Sequence, residues 1–181
     1  KFMQEAVPSG KGAMLAVLGL KVEEILEQIN SISTNGTCEI ANDNSPGQIV
    51  VSGDKDSIQI LQDSLKKKSV RGIILPVSAP FHCSLMKSAE KKMNQKITES
   101  FFKDPKPFII SNVSAKAENK VNKIKELLIK QITSQVKWRE SVEYMINNGV
   151  NEFVEIGPGK VLSGLVKRIN KDVNIFNINS I

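Results

Sequence analysis

The sequence predicts an α/β fold in two parts, and three observations carry that prediction. Between Ala13 and Val77, short apolar runs and helical periods follow one another in the order β-α-β-β-α-β. From Ser84 onward, helices alternate with single strands, the signature of a layered α/β unit with a mostly parallel sheet. The joint between the two patterns carries Pro80 and the chain's only histidine, His82.

In the first part, Ala13 to Leu18 is a short apolar run closed by Gly19, which reads as a strand. Val22, Ile25, Leu26 and Ile29 then recur at helical spacing, and Asn35-Gly36 marks a turn. Thr37 to Asn42 is the second strand, ending in the polar cluster Asn42-Asp43-Asn44-Ser45-Pro46-Gly47. Gln48 to Gly53 is the third. Ile58, Ile60, Leu61 and Leu65 mark the next helix, which Asp54 or Asp56 can cap. Gly72 to Val77 returns as a fourth strand, buried by its apolar content. This order is that of a ferredoxin-like subdomain, four strands with both helices on one face.

In the second part, helices are predicted from Ser84 to about Phe102, Asn119 to Ile132, Trp138 to Asn147 and Lys160 to Asn170. Strands are predicted at Phe108–Ser111, Glu152–Ile156 and Val173–Phe176. These strands are too few to close a layered sheet. The opening Lys1-Phe2-Met3-Gln4-Glu5-Ala6 reads as a helix cut partway along, so the expectation is a fragment with the rest of the sheet upstream. The division follows as a helix remnant and linker at 1–12, an inserted ferredoxin-like subdomain at 13–77, and the C-terminal part of a large α/β subdomain at 78–181.

Composition narrows the function. An apolar share of 40% and a charged share of 24% are those of a globular domain, and no apolar run reaches membrane-spanning length. Two cysteines, Cys38 and Cys83, make no disulfide framework or metal pattern, and a reducing cytoplasm is the expected home. One histidine without paired cysteines excludes a zinc site of the usual kinds. The net charge of +6 favours acidic partners. One Trp and one Tyr give no aromatic platform for nucleic acid.

Among candidate chemical groups, His82 stands where a strand gives way to a helix, a placement that suits a general base and equally a structural histidine. Cys83 follows it directly. Neighbours in extended chain point to opposite faces, so the two are not expected to form a thiol–imidazole pair. No serine lies in a Gly-x-Ser-x-Gly elbow, so any hydroxyl activated by His82 lies outside this chain. Gly157-Pro158-Gly159-Lys160 lacks the spacing of a nucleotide loop, though the helix start after it could face an anion. Turn chemistry alone accounts for Asn42 and Asn44. The alternative is a pair of amides lining a cleft.

Five stretches occur in order: Lys1 to Pro8, Asn44-Ser45-Pro46-Gly47-Gln48, Pro76-Val77-Ser78 with His82, Gln135 to Val142, and Glu155-Ile156-Gly157-Pro158-Gly159-Lys160-Val161-Leu162. Together they resemble the malonyl-CoA:acyl-carrier-protein transacylases of bacterial fatty acid synthesis, from the first residue to at least Arg168. The resemblance implies a large α/β-hydrolase-like subdomain with a ferredoxin-like one inserted. It also implies a serine that takes malonyl from coenzyme A as an ester and passes it to the phosphopantetheine thiol of acyl carrier protein. By the same resemblance His82 is the acid–base and Gln131 supplies a main-chain carbonyl to its second nitrogen. Asn42 and Asn44 fall near the substrate channel, and Phe81 resembles the bulky residue of malonyl-selective enzymes. The serine elbow, the oxyanion loop and the carboxylate-binding arginine of the family would all lie upstream of Lys1. The chain alone is therefore expected to be inactive.

The resemblance implies no cofactor and no metal, malonyl-CoA and acyl carrier protein as partners, no nucleic acid or membrane, and a monomer when full length. Surface lysines either steer an acidic carrier protein or merely keep the surface soluble. Three other readings remain: an acyltransferase domain of a polyketide or multifunctional synthase, a non-catalytic ferredoxin-like binding module in which His82 is structural, and an isolated carrier-protein docking piece.

Overall fold

The computed structural model describes residues 1–179. After a short helix α1 (Phe2–Glu5), the first unit comprises β1 (Gly12–Leu18), α2 (Val22–Ser31), β2 (Cys38–Ser45), β3 (Gln48–Asp54), α3 (Lys55–Lys67) and β4 (Arg71–Ile74). Its four strands form one antiparallel sheet in the order β2-β3-β1-β4. Side chains alternate across β1, and the two faces bury different sets. Leu15 and Val17 join Ile49, Val51, Ile25, Ile58, Leu61 and Leu65 in a core under α2 and α3. Met14 and Ala16 point the other way, where they pack with Ala41, Val50, Leu75 and Phe81. That second face carries the residue next to His82.

Asp54 caps α3. Its carboxylate accepts from the Ser57 N–H at 2.9 Å, the Ser57 hydroxyl at 2.9 Å and the Thr37 N–H at 2.6 Å. Burial alone would raise the Asp54 carboxyl, but the hydrogen bonds from Ser57 and Thr37 outweigh it and hold the group below its usual value. A depressed folded value contributes stability above the unfolded value, and that contribution is lost as pH falls through the folded one. Asp54→Ala should therefore cost about 1–2 kcal/mol near neutrality. The gap from wild type should close in acid, as urea denaturation at several pH values will show.

The second unit begins with a 3₁₀ turn (Ser84–Met86) that runs into α4 (Lys87–Glu99), followed by β5 (Ile109–Ser111), β6 (Lys116–Glu118) and α5 (Val121–Lys130). Then come α6 (Trp138–Asn147), β7 (Glu152–Ile156), α7 (Val161–Ile169) and β8 (Asn174–Ile178). Strands β7 and β8 are parallel, whereas β5 and β6 form an antiparallel hairpin. The mostly parallel sheet expected here is thus one parallel pair and one hairpin among the described residues. One face of the β7–β8 pair buries Phe153 and Ile175 against α6 and α7. The other leaves Val154, Ile156, Phe176 and Ile178 exposed.

Two expectations need correction. The fourth strand ends at Ile74, and Ile73, Ile74 and Val77 are exposed rather than buried. Pro76 has no N–H to give a ladder, and β4 pairs only with β1, at the sheet edge. Conversely, β2 does not end at Asn42 but runs through Asn44 to Ser45, with the turn confined to Pro46-Gly47.

Candidate functional site

His82 sits in the segment between β4 and α4, with its backbone at φ 60°, in the left-handed region. For a histidine this conformation is uncommon and costs free energy, so neighbouring contacts must hold it. Several do. Pro80 packs so closely on β1 that a Cβ added to Gly12 would lie 2.3 Å from its ring. The Phe81 N–H donates to Ala79 O at 3.1 Å, and the Cys83 thiol donates to Pro80 O at 3.1 Å. After the histidine, the Ser84 N–H donates to the Glu39 carboxylate at 3.1 Å, and the Ser84 hydroxyl donates to the same group.

The imidazole is half-buried, and its Nδ1 lies 3.0 Å from the main-chain oxygen of Gln131. A carbonyl only accepts, so this contact requires the proton on Nδ1, and in the neutral ring the lone pair then lies on Nε2. Gln131 stands at the end of α5. Its side-chain amide donates to Ser134 O at 3.1 Å, which closes the turn around its own carbonyl.

That turn is stitched to β2. The Val136 N–H donates to Ala41 O at 2.7 Å, and the Asp43 N–H donates to Val136 O at 2.9 Å. Asn42 and Val136 form a parallel bridge, which extends the first sheet by one residue of the second unit. Beside it, the fully buried Asp43 carboxylate receives Arg139 Nε at 3.0 and 3.2 Å and Nη2 at 2.7 Å. Arg139 Nη1 reaches Glu143 at 3.1 Å. The hydrogen bond to Asp43, with the charges of Asp43 and Glu143, drives the Arg139 guanidinium further up from its already high value.

The bulges on either side of Asn42 and Asp43, with Asp43 turned inward, explain how a polar run stays in a strand. The same alternation leaves Asn42 and Asn44 half-buried on one side of β2. Neither side-chain amide has a hydrogen-bond partner among the described residues. Phe81 is half-buried and joins two clusters, one with Met14, Ala41 and Val50, the other with Ala79, Met86 and Ile132. Its ring therefore links the sheet to the residue after Gln131.

The thiols are poor nucleophiles. Cys83 is fully buried, and burial pushes its thiol up. Cys38 is pushed up to about 12 by burial first, then by the charges of Asp54 and Glu39. Both remain protonated near neutrality. The helix start after Gly157-Pro158-Gly159 is not open to an external anion. Glu155 occupies it, accepting from the Leu162 N–H at 3.1 Å and from the Ser163 N–H at 2.8 Å and hydroxyl at 2.5 Å. The Ser163 side chain and amide hold the Glu155 carboxyl below its usual value.

A cavity of about 540 Å³ is lined by Leu20, Lys21, Asp43, Ser45, Gly47 and Arg139 among others, and none of the five predicted site residues borders it. Among the described residues no group of three or more His, Cys, Asp or Glu could hold a metal, and no helix is long and apolar enough to cross a membrane. Sequence reasoning missed the Asp43–Arg139 pair and Glu39. Acidic side chains on a strand carry no mark of partners 96 and 45 residues away.

Comparison with known proteins places this arrangement. No family model matches the sequence. A curated malonyl CoA-acyl carrier protein transacylase of Bacillus subtilis is 43% identical over 173 residues, 94% of this chain and 55% of the relative. The crystal structure of a malonyl CoA-acyl carrier protein transacylase from Clostridium perfringens superposes with a TM-score of 0.95 at 42% identity, covering 99% of this chain and 57% of that one. A malonyl-transacylase solved in complex with its type II PKS acyl-carrier protein also superposes at 0.95, with 36% identity, over 99% of this chain and 59% of that one. The chain thus spans a little over half the length of the relatives it matches. Over the residues it holds, the chain is similar in sequence and in fold to malonyl CoA-acyl carrier protein transacylases.

Proposed function

We propose that the protein carrying this chain transfers malonyl from coenzyme A to the phosphopantetheine thiol of an acyl carrier protein, in fatty acid synthesis, through an ester on a serine outside residues 1–181. The observation that carries this reading is the half-buried imidazole with Nδ1 on a main-chain carbonyl and Nε2 unspent. In the first step Nε2 takes the serine proton as the serine oxygen attacks the thioester carbon. The carbon–sulfur bond then breaks, and the imidazolium returns its proton to the leaving coenzyme A sulfur. In the second step the carrier thiol gives its proton to Nε2 and attacks the seryl ester. The serine oxygen leaves and recovers that proton. Gln131 acts through its main chain, holding the tautomer and accepting from the ring while it carries charge. The steps need only side chains and the two substrates, without cofactor or metal.

Asn42 and Asn44 are read as substrate-binding amides because both are half-buried with unspent hydrogen-bonding groups. Phe81 is read as the wall that disfavours an α-branched acyl group, an effect of about 1–3 kcal/mol for a single pocket contact. The carrier protein is the partner that the complex of the related malonyl-transacylase names. The first unit, with its β2-β3-β1-β4 sheet, is read as a ferredoxin-like subdomain at 13–77 inserted into a large α/β-hydrolase-like subdomain. Residues 1–12 and 78–181 belong to the latter. The exposed apolar face of β7 and β8 fits a sheet whose further layers lie outside this chain.

Acid-quenching the full-length protein after exposure to malonyl-CoA, then peptide mapping, tests the reading. Malonyl is expected on a serine outside residues 1–181 and should disappear on addition of holo acyl carrier protein. A stable malonyl ester on a residue of this chain, or none at all, would refute it.

A further inference from the structure

We propose that Glu39 is the positioning residue that holds His82 in its working orientation, an inference that rests on reading His82 as the acid–base. Glu39 lies on β2, in the first unit, whereas the segment it binds opens the 3₁₀ turn that leads into α4. Its carboxylate receives both donors of Ser84, the main-chain N–H at 3.1 Å and the hydroxyl. Ser84 is two residues past His82, and Cys83 between them is fixed by its thiol to Pro80 O. The clip therefore sets the chain direction on the C-terminal side of a residue held at φ 60°. On the other flank, Pro80 is wedged against β1 at Gly12. A left-handed histidine persists only when its surroundings over-determine it, and Glu39 is the charged member of those surroundings.

The charge and the geometry suit this task. Ser84 N–H is the first amide of the turn and lacks an acceptor within it, so a carboxylate there meets both an unspent donor and the positive end of the following helix. The ring of His82 has a tether of its own, the carbonyl of Gln131 at the end of α5. With Glu39 in place the backbone carries the ring to that carbonyl. Without it the segment from Pro80 to Met86 can relax toward ordinary φ values and turn the ring away. Glu39 is half-buried, and its carboxylate bonds nothing but Ser84 among the described residues. The exchange of a carboxylate for a carboxamide keeps both contacts, because Oε1 still accepts from the N–H and Nε2 can donate to the hydroxyl oxygen.

The test uses the full-length protein, with malonyl transfer to holo acyl carrier protein as the assay. Glu39→Ala should lower kcat by about tenfold with little change in KM, since an ångström-scale displacement of a reacting group carries losses of that order or more. Glu39→Gln should recover most of the rate. In a His82→Ala background Glu39→Ala should change the residual rate by less than about twofold, because a residue that acts only through the imidazole has nothing left to position. Amide hydrogen exchange at Ser84 should accelerate in Glu39→Ala and stay slow in Glu39→Gln. A normal kcat in Glu39→Ala, or a tenfold loss that persists without the imidazole, overturns the assignment while leaving His82 as the acid–base. If His82→Ala alone keeps the full rate, the catalytic reading and this inference fall together.

Discussion

Replacing His82 by alanine in the full-length protein is expected to lower malonyl transfer by about 10²–10⁴-fold, the range that one positioned acid–base supplies. Both half-reactions should slow, since in the proposed mechanism the same Nε2 takes the serine proton in the first and the carrier thiol proton in the second. Ester formation and ester discharge, followed separately by rapid quench, will show whether both do. The position demands a control, because alanine at φ 60° adds strain of its own. His82→Asn meets that need. Asparagine tolerates the left-handed region better and offers a side-chain N–H to Gln131 O, yet carries no base. Equal losses in the two variants, with unfolding midpoints near wild type, assign the loss to the missing base. An unchanged rate in either variant supports the structural histidine instead.

Arg139→Leu is expected to be the most destabilising single change, at about 3–5 kcal/mol, the cost of stranding a buried carboxylate. Asp43 is 1% exposed, and its carboxylate has no partner but Arg139 among the described residues. Against a total stability of about 5–15 kcal/mol for a typical domain, such a loss is large. The consequence reaches the site, because the start of α6 and the turn carrying Gln131 are held to β2 by this pair and by the Val136 bridge. Asp43→Val combined with Arg139→Leu should regain most of the stability, since a buried ion pair is often replaceable by apolar packing. Denaturant titration of the two variants measures both numbers. A loss below about 1 kcal/mol in Arg139→Leu would mean that water solvates the Asp43 carboxylate or that it takes up a proton, and would contradict a buried pair.

The residue pattern made some elements plain and hid others for physical reasons. Trp138–Asn147 and Glu152–Ile156 are legible to the residue because Asn148-Gly149 stops the helix and Gly157-Pro158 stops the strand. The continuation of β2 through Asn42, Asp43 and Asn44 is not. These residue types disfavour strands, and the energy that keeps them extended comes from Arg139 and Val136, distant in sequence. Lys116–Glu118 was equally hidden, since a three-residue hairpin strand with charged ends has no apolar alternation to read. Gly157-Pro158-Gly159 suggested an open helix start, but only the folded chain brings Glu155 onto Leu162 and Ser163.

At the candidate site, a single histidine at the joint of two patterns is legible, whereas turn chemistry alone accounts for Asn42 and Asn44. The left-handed backbone of His82 left no trace in residue types, because glycine would have marked it and histidine does not. Gln131 posed a different problem. A main-chain carbonyl has no residue signature, so only the family resemblance pointed to that position. Glu39 and Ser84, 45 residues apart, have no periodic relation that could have joined them.

The proposed chemistry requires the neutral imidazole of His82 to carry its proton on Nδ1, donated to the Gln131 carbonyl, and its lone pair on Nε2. Nitrogen-15 NMR of histidine-labelled protein, with the resonances of residue 82 identified by their loss in His82→Asn, reads the tautomer directly. The expected result is a neutral ring protonated at Nδ1, with a through-space contact to residue 131. A ring protonated at Nε2, or one averaging freely between the two forms, would contradict it.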